Sequence, residues 1–156
     1  MDLNKVQNNL IGEWAGNNFL RLSWLTPPDY FSSSGISVSL VAKGTFLTFN
    51  YSWEHKNIPQ EGMLLVGYDK AQKIATAAWI DSWHMNNKVM SCHGTINAQG
   101  MIDLRGSYEA PPGPDWGWRI KITTPSDNHL QIVMFNCSPE GLEELAVQAD
   151  YERVAH

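Results

Sequence analysis

With 156 residues, 43% of them hydrophobic and 17% charged, the chain is long enough to bury its own core and too apolar to be disordered. The net charge is −5 and the four arginines (Arg21, Arg105, Arg119, Arg153) are scattered, so no basic patch exists to hold a nucleic acid. No apolar run approaches the ~20 residues of a membrane span, and MDLNKVQNNLIGEW (1–14) lacks the basic-then-apolar pattern of a secretory leader. The expected setting is therefore cytoplasmic, with Cys92 and Cys137 as reduced thiols and no cysteine pair spaced for zinc.

The chain is expected to open with a short amphipathic helix, capped by Asp2 and presenting Leu3, Val6 and Leu10 on one face. Turn signals then recur about every ten residues, the spacing of an all-β sandwich or barrel. The runs between them predict strands at 13–25, 35–42, 45–54, 61–68, 74–84, 89–97, 101–109, 116–124, 129–137 and 143–154. TPPDYFSSSG (26–35) reads as the longest loop, of the kind that serves as a lid. CSPEGLEELA (137–146) leaves room for one helical turn, with Ser138 as cap, before the last strand.

Two turns predict registers. A two-residue loop at Lys43-Gly44 pairs Ile36, Val38 and Leu40 with Tyr51, Phe49 and Leu47. A three-residue loop with Gly100 in the left-handed region pairs Gly94 with Leu104. Both bring apolar faces together, as a meander buried on one side requires. About ten such strands close on themselves, because closure removes the edges. The expected fold is all-β: one domain over residues 1–156, a single up-and-down antiparallel β-barrel of about ten strands with a short N-terminal helix.

AAWIDSWHMNN (77–87) sets an aspartate and a histidine among tryptophans. If Asn86-Asn87 is a type I′ turn, Trp83 pairs with Met90, Asp81 with Cys92 and Trp79 with Gly94. Trp79, Asp81, Trp83, Met90 and Cys92 then face inward, and Ile80, Ser82, His84, Ser91 and His93 face outward. Asp81 and His84 lie on opposite faces of a regular strand and form no dyad unless the strand bulges. His84 and His93 are four rows apart, roughly 13 Å, too far to share a metal ion, so no metal site is expected. Cys92 beside Asp81 makes a poor nucleophile, because the carboxylate disfavours its thiolate. A carboxylate inside a barrel costs several kcal/mol unless it is paired, hydrogen-bonded or protonated. Asp81 is thus either satisfied by neighbouring donors or a group that orients a ligand or moves a proton.

LIGEWAG (10–16) resembles the G-x-W signature of lipocalin-like (calycin) barrels. In that superfamily the tryptophan packs across the barrel floor beneath an arginine late in the final strand. The resemblance implies these structural roles for Trp14 and Arg153, the latter sharing a strand face with Leu145, Val147, Ala149 and Tyr151. The order GEWAG, EGMLLVGYD, WIDSWH, WRIKI, SPEGLEE and YERV is similar, over nearly the whole chain, to an uncharacterised bacterial family of lipocalin-like barrels. It implies a lipocalin or fatty-acid-binding-protein-like fold and transfers no catalytic residue. The haem-binding nitrobindin group also begins with a G-x-W strand and holds haem on a histidine near its C-terminus. The candidates here, His129 and His156, lie in different contexts, so no cofactor is expected.

The favoured role is binding of a small, mostly apolar molecule inside the barrel. Tyr51, Trp53, Trp79, Trp83, Met90, Trp118 and Met134 are the expected wall, with Asp81 as the principal polar anchor. One alternative is an enzyme of the same shape with Asp81 as general acid or base. Another is a barrel filled by its own side chains that acts through its outer surface, as a homodimer or an interaction module. Neither a membrane nor a nucleic acid is an expected partner.

Overall fold

A computed structural model describes residues 3–155. Helix α1 (Leu3–Leu10) precedes strands β1 (Gly12–Arg21), β2 (Asp29–Val41), β3 (Phe46–His55), β4 (Ile58–Asp69), β5 (Ile74–Asp81), β6 (Met90–Ile96), β7 (Ile102–Tyr108), β8 (Trp116–Ser126), β9 (His129–Cys137) and β10 (Glu143–Arg153). Each strand pairs antiparallel with the next and β1 closes onto β10, giving a closed up-and-down barrel. The expected architecture holds. Asp2, the expected helix cap, and His156 lie outside the described residues.

An up-and-down barrel sends alternate connections to opposite ends. The end reached by the β2–β3, β4–β5, β6–β7 and β8–β9 turns is closed by α1, whose Val6 and Leu10 are buried. Just inside that end, the Trp14 indole N–H donates to the Leu10 carbonyl at 2.9 Å. The Arg153 guanidinium lies 4.2 Å over the Trp14 ring and donates to the carbonyls of Ile11 and Asn9, each at 2.8 Å. Gly12 explains the glycine of the motif: its φ is +137°, and a Cβ there would sit 2.7 Å from Nη1 of Arg153. The middle of the barrel is packed with buried apolar side chains, among them Val38, Phe49, Leu64, Ile102, Leu104, Ile120, Ile122 and Leu130.

Both predicted registers are present. Ile36, Val38 and Leu40 pair with Tyr51, Phe49 and Leu47, although the turn spans Ala42–Thr45 rather than two residues. Gly94 pairs with Leu104, with Gly100 at φ +85°. Two expectations fail. The first strand stops at Arg21, and 26–35 is no lid: β2 begins at Asp29, and Tyr30–Gly35 pair with β1. The serines that suggested a loop are accommodated by hydrogen bonds. Ser34 donates to the Ser52 carbonyl at 2.7 Å and shares a bond with the Tyr151 hydroxyl, while Ser32 accepts the Glu54 N–H. The second failure, in the β5–β6 connection, creates the site. At the β9–β10 connection, Ser138 closes a tight turn by accepting the Leu142 N–H on its hydroxyl.

Arg153 contributes a ring contact and backbone hydrogen bonds from a charged donor. Arg153→Leu is expected to lower unfolding free energy by about 2–4 kcal/mol. Arg153→Lys should recover only part of this, since an ammonium cannot reach two carbonyls and the ring with the same fork. Urea unfolding of the three proteins measures both.

Candidate functional site

The site is built by one carboxylate. Strand β5 ends at Asp81, whose side chain is 7% exposed and accepts four hydrogen bonds. One oxygen takes the backbone N–H groups of Trp83 at 2.8 Å and His84 at 3.1 Å; the other takes the Tyr51 hydroxyl at 2.6 Å and the Trp53 indole N–H at 3.2 Å. The Trp79 indole N–H in turn donates to the Tyr51 oxygen at 2.8 Å. Tyr51 reaches Asp81 because Gly62, on the intervening strand β4, pairs with both. A Cβ on Gly62 would overlap the Tyr51 hydroxyl and the Ile80 carbonyl.

By taking the amides two and three residues on in its own chain, Asp81 turns the backbone away from β6, a local side-chain bond competing with the sheet ladder. Residues 82–89 form a loop rather than a two-residue hairpin, with Met85, Asn86 and Asn87 all at positive φ. Trp79 therefore pairs with Met90, and Gly94 with Ala75, a shift from the expected register. The shift is even, so Trp79, Asp81, Met90 and Cys92 still face inward. Trp83 and His84 leave the strand, however, and fold over the barrel mouth. The expectation that His84 points outward is corrected by this loop; His93 is exposed on the outer face as expected. Cys92 faces Ala77 rather than Asp81, and burial alone pushes its thiol up to about 11.

At the mouth, His84 is surrounded by indoles. Its ring centroid lies 5.8 Å from Trp53, 5.5 Å from Trp79, 4.8 Å from Trp83 and 5.7 Å from Trp118. Trp79 and Trp118 stack at 5.5 Å with planes 10° apart. Trp83 also contacts His55, at 4.9 Å. Above this floor opens a pocket of about 610 Å³, walled by Trp79, Trp83, His84, Met90 and Trp118, with Leu20, Leu145 and Ala146 on the opposite side. Gly106, opposite Trp118, leaves room for the Met90 and Cys92 sulfurs. The rim carries Arg21, Lys88, Glu109 and Glu144 beside Trp24 and Val89, which are 70% and 66% exposed.

The structure thus brings Trp79, Trp83, Met90 and Trp118 into one wall. Tyr51, Trp53 and Asp81 stand behind that wall, and Met134 is buried in the core beside Ile120 and Val147. The sequence reading missed His84, Tyr108 and Asn136. Tyr108 and Asn136 lie across β8 from one another, and the Tyr108 hydroxyl donates to the Asn136 side-chain carbonyl at 2.5 Å. The inward parity of Tyr108 with Leu104 was the available signal for it. His84 had none, because a strand was assumed where Asp81 makes a loop.

Burial holds the His84 imidazole below the ordinary histidine range; Asp81 opposes this and His55 adds to it. His55 is lowered by burial and by Lys56. Burial, then Asp81, hold the Tyr51 hydroxyl well above its usual value, so it stays a donor. The Trp118 indole N–H and Nδ1 of His55 are sealed and have no hydrogen-bond partner among the described residues. Among the described residues no three His, Cys, Asp or Glu side chains converge on a metal position, and His129 is tied to Asp150 at 3.1 Å. No helix among the described residues is long and apolar enough to cross a membrane.

The family model DUF1579, described as a protein of unknown function, matches residues 5–153. The chain belongs to this family. No curated protein matches it in sequence. Among solved structures it is similar to Rv2717c from M. tuberculosis, with a TM-score of 0.69 at 14% identity over 99% of both chains. It is also similar to the S-type phycobiliprotein lyase CPES from Guillardia theta, with a TM-score of 0.64 at 12% identity, covering 100% of this chain and 94% of that one. At such identities the likeness is one of fold.

The histidines give the DUF1579 barrel a pH dependence of fixed sign. A histidine kept neutral by the fold is protonated first in the unfolded chain, so this source of stability is intact above the ordinary value of 6.5 and is lost as pH falls through the lowered folded-state value. Unfolding free energy should decline from about pH 7 to about pH 5. The double variant His55→Phe, His84→Phe should flatten most of that slope in urea melts across the range.

Proposed function

We propose that this protein binds a small, flat, mostly apolar molecule at the open end of a lipocalin-like barrel, in the pocket walled by Trp79, Trp83, His84, Met90 and Trp118. One observation carries the reading: a cavity of about 610 Å³ at the open end, lined by indoles of which Trp79 and Trp118 stack in parallel. That volume is within the usual range for small-molecule sites, about 300–1,000 Å³. Parallel indoles offer flat apolar faces at little entropic cost, because aromatic side chains have few torsions to freeze.

In this reading Asp81, Tyr51 and Trp53 are positioning residues. The four donors on Asp81 occupy the acceptor positions of its carboxylate, which leaves it no lone pair for a ligand or a proton transfer. Met134 serves core packing. The G-x-W tryptophan under its arginine supports the lipocalin-like assignment, and a phycobiliprotein lyase shares this fold. The chain acts as one domain, in the cytoplasm.

The seven tryptophans make the test direct, since each indole N–H gives its own NMR signal. Titration with 2-methoxynaphthalene, a neutral two-ring probe, should shift the signals of Trp79, Trp83 and Trp118 and leave Trp14 unmoved. Trp118→Ala should weaken binding about tenfold or more, the loss of about 1.4 kcal/mol or more expected for a buried aromatic contact. Shifts spread evenly over all indoles, or none at saturation, would remove the pocket as a binding site.

A further inference from the structure

We infer that the pocket selects aromatic molecules bearing a hydroxyl or N–H group, which donate that hydrogen to the imidazole of His84. This rests on the binding role proposed above and narrows it to a ligand class.

Several polar groups of the pocket are engaged, whereas His84, Asn86 and Ser107 keep open hydrogen-bonding capacity, and of these three His84 is the one set among the indoles. Tyr108 is engaged with Asn136, Ser23 donates to Glu144, Arg21 pairs with Asp29, and Lys88 lies 3.8 Å from Glu109. The His84 backbone N–H is taken by Asp81, but neither ring nitrogen meets a protein partner among the described residues. Neither is sealed: the described side-chain nitrogens that are both buried and unpartnered belong to His55 and Trp118. His84 lines the pocket, and its unsealed ring nitrogens are the hydrogen-bonding atoms it can offer an occupant there.

Burial also keeps the imidazole neutral, so one nitrogen is an acceptor. Asp81 and His55 are the titratable groups facing it, with opposite effects that leave burial dominant. The four surrounding indoles hold the plane of the ring, so the acceptor is placed before a ligand arrives and little side-chain freedom is lost on binding. A phenyl ring would fill the same space among the tryptophans without the cost of desolvating an imidazole. Choosing an aromatic ligand follows from the stacked floor; choosing a donor on that ligand follows from the imidazole.

The closing experiment compares 2-naphthol with 2-methoxynaphthalene, which share a ring system and differ in the donated hydrogen. On the unmodified protein at about pH 7.5, where histidine is neutral, naphthol is expected to bind about tenfold more tightly, the effect of one hydrogen bond. In His84→Phe, the ratio of the two affinities should fall to near one, whatever change in affinity the two probes share. Equal binding of both probes to the unmodified protein would overturn the inference while leaving the pocket intact. A preference that survives in His84→Phe would move the acceptor to the rim carboxylates and also overturn it. Failure of both probes to bind would remove the pocket reading itself. The unmodified-protein comparison stands even if the variant fails to fold.

Discussion

A carboxylate with almost no exposure costs several kcal/mol unless it is matched by donors, paired or protonated, and Asp81 is matched by donors in a way that shapes the whole open end. Two of its donors come from β3, as the Tyr51 hydroxyl and the Trp53 indole, and two from the backbone that follows it. The charge therefore couples a strand two places away to the loop over the mouth. Gly62 is part of the same device, since any side chain on that row of β4 would keep Tyr51 from Asp81. A buried charge of this kind adds little net stability compared with apolar packing, and its retention fits a role in specifying one loop conformation. Were the carboxylate absent, the Trp83 and His84 amides would lose their acceptor and the loop over the mouth its anchor.

The two ends of the barrel solve different problems with similar chemistry. At the closed end a cation, Arg153, covers an indole and gathers backbone carbonyls, which locks α1 across the opening. At the open end an anion, Asp81, gathers indole and backbone N–H groups, and the opening is narrowed without being filled. The apolar middle of the barrel separates them, and the pocket lies in the upper part. Exposed Trp24, Val89 and Leu142 lie on the connections that ring this end.

Much of the fold was legible because barrel strands alternate and turns carry chemical signatures. The Lys43-Gly44 and Gly100 turns set correct registers, and the G-x-W tryptophan led to its arginine on the last strand. The wall was half legible: Trp79, Met90 and Trp118 follow from strand parity, which even the shifted register preserves. What parity cannot show is where a strand ends. Asp81 was recognised as an inward charge needing partners, but the partners included the amides of Trp83 and His84, and that choice is made by a side chain against the ladder. The serine-rich start of β2 was misread for the complementary reason. Serine usually signals a loop, and here its hydroxyls are absorbed by Ser52, Glu54 and Tyr151 from neighbouring strands.

Amide hydrogen exchange at Trp83 and His84 tests most directly whether Asp81 builds the site. In the unmodified protein both amides should be protected although they lie in a loop. In Asp81→Asn, whose amide end would meet donors where the carboxylate met them, both should exchange at least about tenfold faster while amides in the middle of β7 and β8 keep most of their protection. Unprotected amides in the unmodified protein, or protection unchanged by the substitution, would contradict the assignment of Asp81 as the group that folds His84 into the pocket.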